Sequence, residues 1–374
     1  MKVSVIGFGT VGKGVYEMLK NAPGLETGKV LVLPEFLSQP DQVTDFEEIL
    51  SDASVDAVAE AIGGVEFPYQ CVKAALEHKK HVVTSNKALI AEKGIELSRI
   101  ARKMGVGLLF SAACGGGVPI LHNMALAAKT DKILCCGGIL NGTTNFILDR
   151  MTRFHADYAQ TLREAQSLGY AEQDPSADVS GLDTLRKIML CSGVAFGLLP
   201  HEGLCREGIE QICASDIEFF AEKGFICRLK GKAGKTEKGC YAYVEPTLLS
   251  PSSPDAAVLS NNNLAFYEAE KAGSITLIGQ GAGRYPTASA MLRDLTRLQE
   301  GADYMLDCSC KPGGADNHLA SHRYFVRCEK QDAPLFHQTE TRFITEKMAV
   351  ADMHEKAKQI RALNRQIFFA GIEE

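Results

Sequence analysis

Apolar residues recur at two different periods along the first third of the chain, and the alternation between those periods predicts its elements. Residues 2–6 form a short apolar run; after Gly7-Phe8-Gly9-Thr10-Val11-Gly12, the residues Val11, Val15, Met18 and Leu19 return at helical spacing. Further apolar runs at 29–33, 55–62, 81–85 and 106–112 read as strands, with helical patterns at 68–78 and 88–104 between them. Strands and helices in that order predict an α/β fold, a Rossmann-like doubly wound parallel sheet. Beyond it, 133–140 reads as a strand and 146–151, 158–168 and 188–196 as helices, while 229–243 reads as strands broken by glycine and lysine. That second stretch predicts a separate α+β domain.

Composition narrows the class of protein. With 374 residues, 45% of them hydrophobic and 23% charged, the chain suits two or three ordered domains. No run approaches the ~18 apolar residues that a membrane span needs. The N-terminus enters a strand pattern at once, with no signal peptide, so the expected location is cytoplasmic. A net charge of -6 offers no basic footprint for nucleic acid and points to a small-molecule substrate. The twelve cysteines show no disulfide-framework spacing. Cys135-Cys136 and Cys308-Ser309-Cys310 lack the companion pair that would complete four metal ligands.

Candidate chemistry sits where strands end. Gly7, Gly9 and Gly12 make GxGxxG directly between a strand and a helix: the first glycine allows the tight turn, the second lets a pyrophosphate approach, and the third permits close helix packing. The second strand ends Leu33-Pro34-Glu35 with no arginine after it, which leans toward NAD over NADP; Glu35 could equally be a solvated loop residue. Lys87 follows a strand's carboxyl end, as a cation aimed at a ligand crevice or as a surface residue at a helix start. Small residues from Ser111 to Pro119 let the backbone itself approach a ligand or ion, and Cys114 among them reads as packed rather than nucleophilic. Asn141-Gly142-Thr143-Thr144-Asn145 supplies either plain helix capping or a hydroxyl-lined wall. Between Gly169 and Lys187 lie Glu172, Asp174, Asp178 and Asp183; Ser180 with Asp183 reads as a capping box, and Asp183 with Lys187 as a pair on one helical face. That pair is either a solvated ion pair or an acid and a base held side by side.

These motifs together resemble the homoserine dehydrogenase family. The likeness rests on Gly7 to Gly12, Val82-Val83-Thr84-Ser85-Asn86-Lys87, Gly138 to Asn145, Gly169 to Lys187 and the later Gly279-Gln280-Gly281-Ala282-Gly283, and covers about residues 1–300. It implies NAD(P)-dependent interconversion of L-homoserine and L-aspartate 4-semialdehyde, on the way to threonine, isoleucine and methionine. It implies Lys187 as proton donor and acceptor, Lys87 assisting, Asp183 orienting, and Glu172 with Thr143 and Asp178 binding substrate. Gly7, Phe8, Gly9, Thr10, Val11, Gly12, Lys87, Gly142 and Gly283 would hold the cofactor. Family members also bind a monovalent cation through a glutamate where this chain has Ser111, which leaves the backbone of Cys114, Gly116 and Val118 as the metal ligands to be considered.

The same likeness divides the chain into a dinucleotide-binding domain at 1–128 with a return segment at 279–300, a catalytic and dimerisation domain at 129–278, and a short ACT-like remnant at 316–374. In that tail, Met353, Ala357, Ile360, Leu363 and Ile367 read as one helical face. A homodimer or higher homo-oligomer is expected. Two other functions fit the same residues: a catalytically silent dinucleotide-binding regulator, and a related semialdehyde or amino-acid oxidoreductase.

Overall fold

Residues 1–302 and 304–373 are described by a computed structural model, and their contacts separate two units: Met1–Thr130, Gly193–Leu199 and Gly279–Pro312 in one, Asp131–Ser192, Pro200–Ile278 and Gly313–Glu374 in the other. The first unit contains β1 (Lys2–Ile6), α1 (Thr10–Leu19), β2 (Glu26–Leu31), β3 (Gln42–Val43), α2 (Glu47–Leu50), β4 (Ala57–Glu60), α3 (Glu66–Glu77), β5 (His81–Thr84), α4 (Lys87–Met104), β6 (Leu108–Leu109) and α5 (Ile120–Ala127). Its six strands run parallel in the order β3-β2-β1-β4-β5-β6. Val3, Val5 and Ile6 of β1 are fully buried, as expected of a strand covered on both faces. The chain moves outward from β1 to β3 and then returns to β4 on the other side, so a topological switch point lies at the carboxyl end of β1.

The strand expected at 106–112 shrinks to two residues. After Leu109 the backbone turns through one 3₁₀ turn at Ser111–Ala113, where the Ser111 N–H and Oγ each lie 2.7 Å from an Asp294 carboxylate oxygen. A local hydrogen-bonded anchor thereby replaces sheet pairing. Asp294 stands on α11 (Arg284–Gln299), the segment that returns to this unit and packs on α1. Gly14 makes that contact possible, because a Cβ there would lie 2.9 Å from the Arg284 carbonyl oxygen.

After α5 the chain continues with β7 (Ile133–Ile139), α6 (Gly142–Phe154), α7 (Tyr158–Ser167), α8 (Ser176–Val179), α9 (Leu182–Phe196), β8 (Leu198–Glu202), β9 (Cys205–Arg206), α10 (Ala214–Glu222), β10 (Ile226–Thr236), β11 (Gly239–Leu249), β12 (Asn262–Ala269) and β13 (Gly273–Gln280). The remaining elements are β14 (Lys311–Gly314), β15 (Ser321–Cys328), β16 (Arg342–Ile344), β17 (Met348–Ala349), α12 (Val350–Ala362) and β18 (Ile367–Ile372). Their main sheet runs β13-β12-β7-β10-β11-β18-β15-β16. Helix α9 lies against β10 at Gly231, where a Cβ would meet Ile188 Cγ1 at 2.4 Å and Thr184 Cγ2 at 2.9 Å. The glycine lets the helix, and the residues on its first turns, sit close to the sheet.

The tail is not a body by itself. Strand β18 pairs in parallel with β11 at Thr247↔Gly371 and Leu248↔Ile372, and β15 pairs antiparallel with β18, so the tail extends the catalytic sheet. Tyr324, Val326, Phe336, Phe343, Met353, Ile360 and Phe369 form its core. Arg361 is bidentate to Glu207, with N···O distances of 2.6 and 2.8 Å, and Arg327 Nε meets Asp216 at 2.8 Å. Leu363, expected on the buried helical face, caps the C-terminal end of α12 and is 59% exposed.

Candidate active site

In the first unit, two of the three motif glycines have a visible steric cause within the chain. Gly7 sits at φ +93°, and a Cβ on it would meet Ile62 Cγ1 at 2.7 Å and the Ala61 carbonyl oxygen at 2.9 Å. A Cβ on Gly12 would lie 1.9 Å from the Gly7 oxygen, whereas Gly9 faces open space. That open face belongs to a cavity of about 920 Å³ lined by Gly7, Phe8, Gly9 and residues 61–63, at the N-terminus of α1. Backbone N–H groups and the positive end of the helix dipole there suit an anion such as a pyrophosphate. Thr10 and Val11 open α1, exposed and half-buried, while Gly283 forms the N-cap of α11 at φ +115°.

Two exposed apolar residues find a reason in the same cavity. Leu33 is 58% exposed and Phe36 61%, and both line it, as does Phe67. Glu35 falls in the 3₁₀ turn Pro34–Phe36, between the lining residues Pro34 and Phe36. The cations on the lining are Lys13 and Lys20, which lie over the Phe8 and Tyr16 rings at 5.7 and 4.2 Å.

In the second unit, Asp183 and Lys187 project from the start of α9 and are only 7% exposed each. Lys187 Nζ donates to Asp183 Oδ2 at 2.6 Å and to the Leu140 carbonyl oxygen at 2.5 Å. The solvated-pair reading therefore fails. Asn141, the N-cap of α6, accepts from the Thr144 N–H through Oδ1, which turns its Nδ2 outward to donate to Asp178 at 2.7 Å and Asp183 at 2.9 Å. Thr143 Oγ1 lies 2.6 Å from the Tyr170 oxygen and 3.1 Å from Asp178 Oδ2. Burial, reinforced by the charge of Asp183, pushes the Asp178 carboxyl up.

Thus Asp178, Asp183, Lys187 and Thr143 come together, with Asn141 and the Leu140 carbonyl as members that the sequence reading did not single out. The signal for Asn141 was its N-cap position, since a capping asparagine uses its oxygen and leaves its amide to donate. Glu172 is exposed on the turn before α8 and outside this hydrogen-bonded group among the described residues. Ser180 closes α8 and accepts from Arg206 at 2.7 Å in place of the expected capping box. Gly142 opens α6 in the second unit, with room for no Cβ because the Asn261 oxygen would lie 2.6 Å away. Lys87 is the first residue of α4 in the first unit.

In the glycine-rich loop after Ser111, some of the backbone oxygens already accept hydrogen bonds. The Val118 carbonyl accepts the Ile120 N–H at 2.9 Å, and Arg293 places its guanidinium 3.0 Å from the Gly117 oxygen. Asp294, whose carboxyl burial pushes up, is committed to Ser111 and to Arg297 at 3.2 Å. Cys114 is fully buried, and Gly116 needs its small size because a Cβ would sit 2.5 Å from the Gly281 oxygen.

A glycine cradle for a dinucleotide, and a lysine held among buried carboxylates, define a nicotinamide-dependent oxidoreductase. Family models described as "Homoserine dehydrogenase, NAD binding domain" and "Homoserine dehydrogenase" match residues 7–111 and 119–296. The homoserine dehydrogenase of Synechocystis sp. is 38% identical over 316 residues, 80% of this chain and 73% of that protein. That of Pseudomonas aeruginosa is 35% identical over 359 residues, 89% of this chain and 83% of that one. The crystal structure of a homoserine dehydrogenase from Thiobacillus denitrificans superposes with a TM-score of 0.87 at 28% identity, covering 100% of this chain and 98% of the other. The chain belongs to the homoserine dehydrogenase family. Its activity is the NAD(P)-dependent interconversion of L-homoserine and L-aspartate 4-semialdehyde in amino-acid biosynthesis.

Proposed function

We propose that Lys187 moves the proton in this reaction, and the observation that carries the reading is its burial between Asp183 Oδ2 and the Leu140 carbonyl. When bound, the nicotinamide supplies the acceptor for the hydride that leaves the alcohol carbon. The hydroxyl proton must leave in the same step, and Lys187 as the free amine takes it; in reverse, the ammonium donates it to the aldehyde oxygen. Asp183 and the Leu140 carbonyl fix the direction of Nζ. Asn141 holds Asp183 and Asp178 in place, so that two carboxyl groups stand ready for the substrate ammonium, with Glu172 as a third contributor from the exposed turn. Lys87, the first residue of α4, is the assisting lysine in this proposal.

The preferred nucleotide is NAD. No arginine follows β2, the rim there is the apolar Leu33, Pro34 and Phe36, and Lys20 is stacked on Tyr16. This proposal runs no step through a monovalent cation: Ser111, which stands where the family's glutamate would be, is committed to Asp294, and the Val118 carbonyl already accepts the Ile120 N–H. The working form is a homodimer or larger. Support comes from the edge strand β13, which alternates exposed positions with half-buried ones and leaves Ile278 58% exposed. No described helix is long and apolar enough to cross a membrane, and the twelve cysteines are all free thiols, which favours the cytoplasm.

The test is homoserine-dependent reduction of NAD and NADP, measured side by side with and without sodium or potassium at constant ionic strength. Turnover with NAD in excess of NADP and unaffected by the cation is expected. Strict dependence on an added cation would overturn the loop reading.

A further inference from the structure

One buried acid in the cofactor unit has no part in the chemistry above. Glu60 ends β4, fully buried, in register with Ile6 of β1 on one side and Thr84 of β5 on the other. Its Oε1 accepts the Ile62 N–H at 2.7 Å, and Oε2 accepts the Thr84 hydroxyl. Thr84 Oγ1 in turn accepts the Asn86 N–H at 2.9 Å. Asn86 then works in two directions. Its Nδ2 donates to the Ile62 and Gly64 carbonyls at 3.1 and 2.8 Å, while its Oδ1 caps α4 by accepting from the Leu89 N–H at 3.0 Å.

We propose that Glu60 is a positioning residue whose proton is linked to dinucleotide binding: it holds the 61–64 turn against the glycine loop and, through Thr84 and Asn86, the start of α4 that carries Lys87. Ala61 donates to the Ile6 oxygen at 2.9 Å, and the residue after Ile6 is Gly7, which the Ala61 and Ile62 atoms crowd. The carboxyl is therefore separated from the pyrophosphate cradle by one strand position. Like charges disfavour each other, most strongly where one of them is buried, so a bound diphosphate favours the protonated form of this acid. Burial has already raised the Glu60 carboxyl to about 7, against the hydrogen bonds from Thr84, Ile62 and Asn86. The titratable side chain facing it from α3 is Cys71, whose thiol, pushed up to about 12 by burial and by Glu60, stays protonated. The charged side chain at the start of α4 is Lys87.

This inference rests on the cleft being the cofactor site. Affinity for NADH, followed by its own fluorescence in a chain without tryptophan, is measured from pH 6 to 9 for the intact protein and for Glu60→Gln. The intact protein should lose about fivefold or more in affinity as pH rises through neutrality, the lower end of ordinary coupling between two sites. Glu60→Gln, a permanent stand-in for the neutral acid, should bind with a flat pH profile. In Thr84→Val the carboxylate loses a donor, and the midpoint should move to higher pH. A pH-independent affinity in the intact protein, a Gln variant that keeps the wild-type profile, or an unmoved midpoint in Thr84→Val would overturn the proposal. If NADH fails to bind at every pH, the cofactor reading falls and takes this inference with it.

Discussion

Removing the carboxylate of Asp183 separates the two roles of the Asp183 and Lys187 pair. In Asp183→Ala the Lys187 ammonium, 7% exposed, keeps the Leu140 carbonyl but loses its counter-charge at 2.6 Å. Breaking a buried pair by deleting one partner costs about 3–5 kcal/mol, because the survivor is left charged in a poor solvent. Asp178 lies in the same cluster, so the lower end of that range, about 3 kcal/mol, is expected. In the double variant Asp183→Leu with Lys187→Met no charge is left stranded, and most of the loss should be recovered. Urea unfolding followed by far-UV circular dichroism, with homoserine oxidation assayed on the same samples, gives both quantities. Asp183→Ala should be unstable and nearly inactive; the double variant should be stable and inactive. If Asp183→Ala lies within about 1 kcal/mol of wild type, the pair is solvated and the active-site geometry derived from it is wrong.

Two further perturbations probe other parts of the chain. Gly12→Ala should abolish nucleotide binding and lower the melting temperature, because its Cβ would fall 1.9 Å from the Gly7 oxygen; near-normal NADH titration would contradict the tight-turn account. On β11, burial raises the Glu245 carboxyl, but hydrogen bonds from the tail residues His322 at 2.5 Å and His354 at 3.3 Å outweigh it and leave the group below its usual value. An acid held low in the folded state contributes stability above its unfolded value near pH 4.5, and that contribution is lost as pH falls through the folded value. Amide protection in β15 and β18, taken relative to the intrinsic exchange rate at each pH, should therefore fall as pH drops below 4.5 in the intact protein. In Glu245→Gln the exchange should be fast already at neutral pH and respond less to acid, and an identical acid response in both proteins would remove Glu245 from the linkage.

What could be read from the sequence was what the backbone enforces locally. GxGxxG between a strand and a helix has one steric solution, and Gly7, Gly9 and Gly12 take it. The Asp183 and Lys187 spacing placed both on one helical face, but their burial depended on Gly231 letting α9 approach β10, a contact between residues far apart in the chain. Asp178 was legible as an acid, not as a partner of Asn141, because the amide that joins them is turned by a cap on a different helix. Glu60 was hidden by its strand: in Val58-Ala59-Glu60-Ala61 a single acid suggests an exposed position, whereas both faces of a parallel strand are covered. The tail read as a remnant because a parallel pairing between β18 and β11 joins segments over a hundred residues apart, and no local pattern announces it.

The most direct measurement of the central claim is the steady-state oxidation of L-homoserine by Lys187→Ala beside the intact protein, with NADH affinity determined on both. A fall in kcat of about 10²-fold or more is expected, with NADH affinity unchanged, as loss of a proton-transfer group at an intact cofactor site should give. An unchanged kcat would show that the proton leaves the substrate by another route and that Lys187 is a buried structural charge.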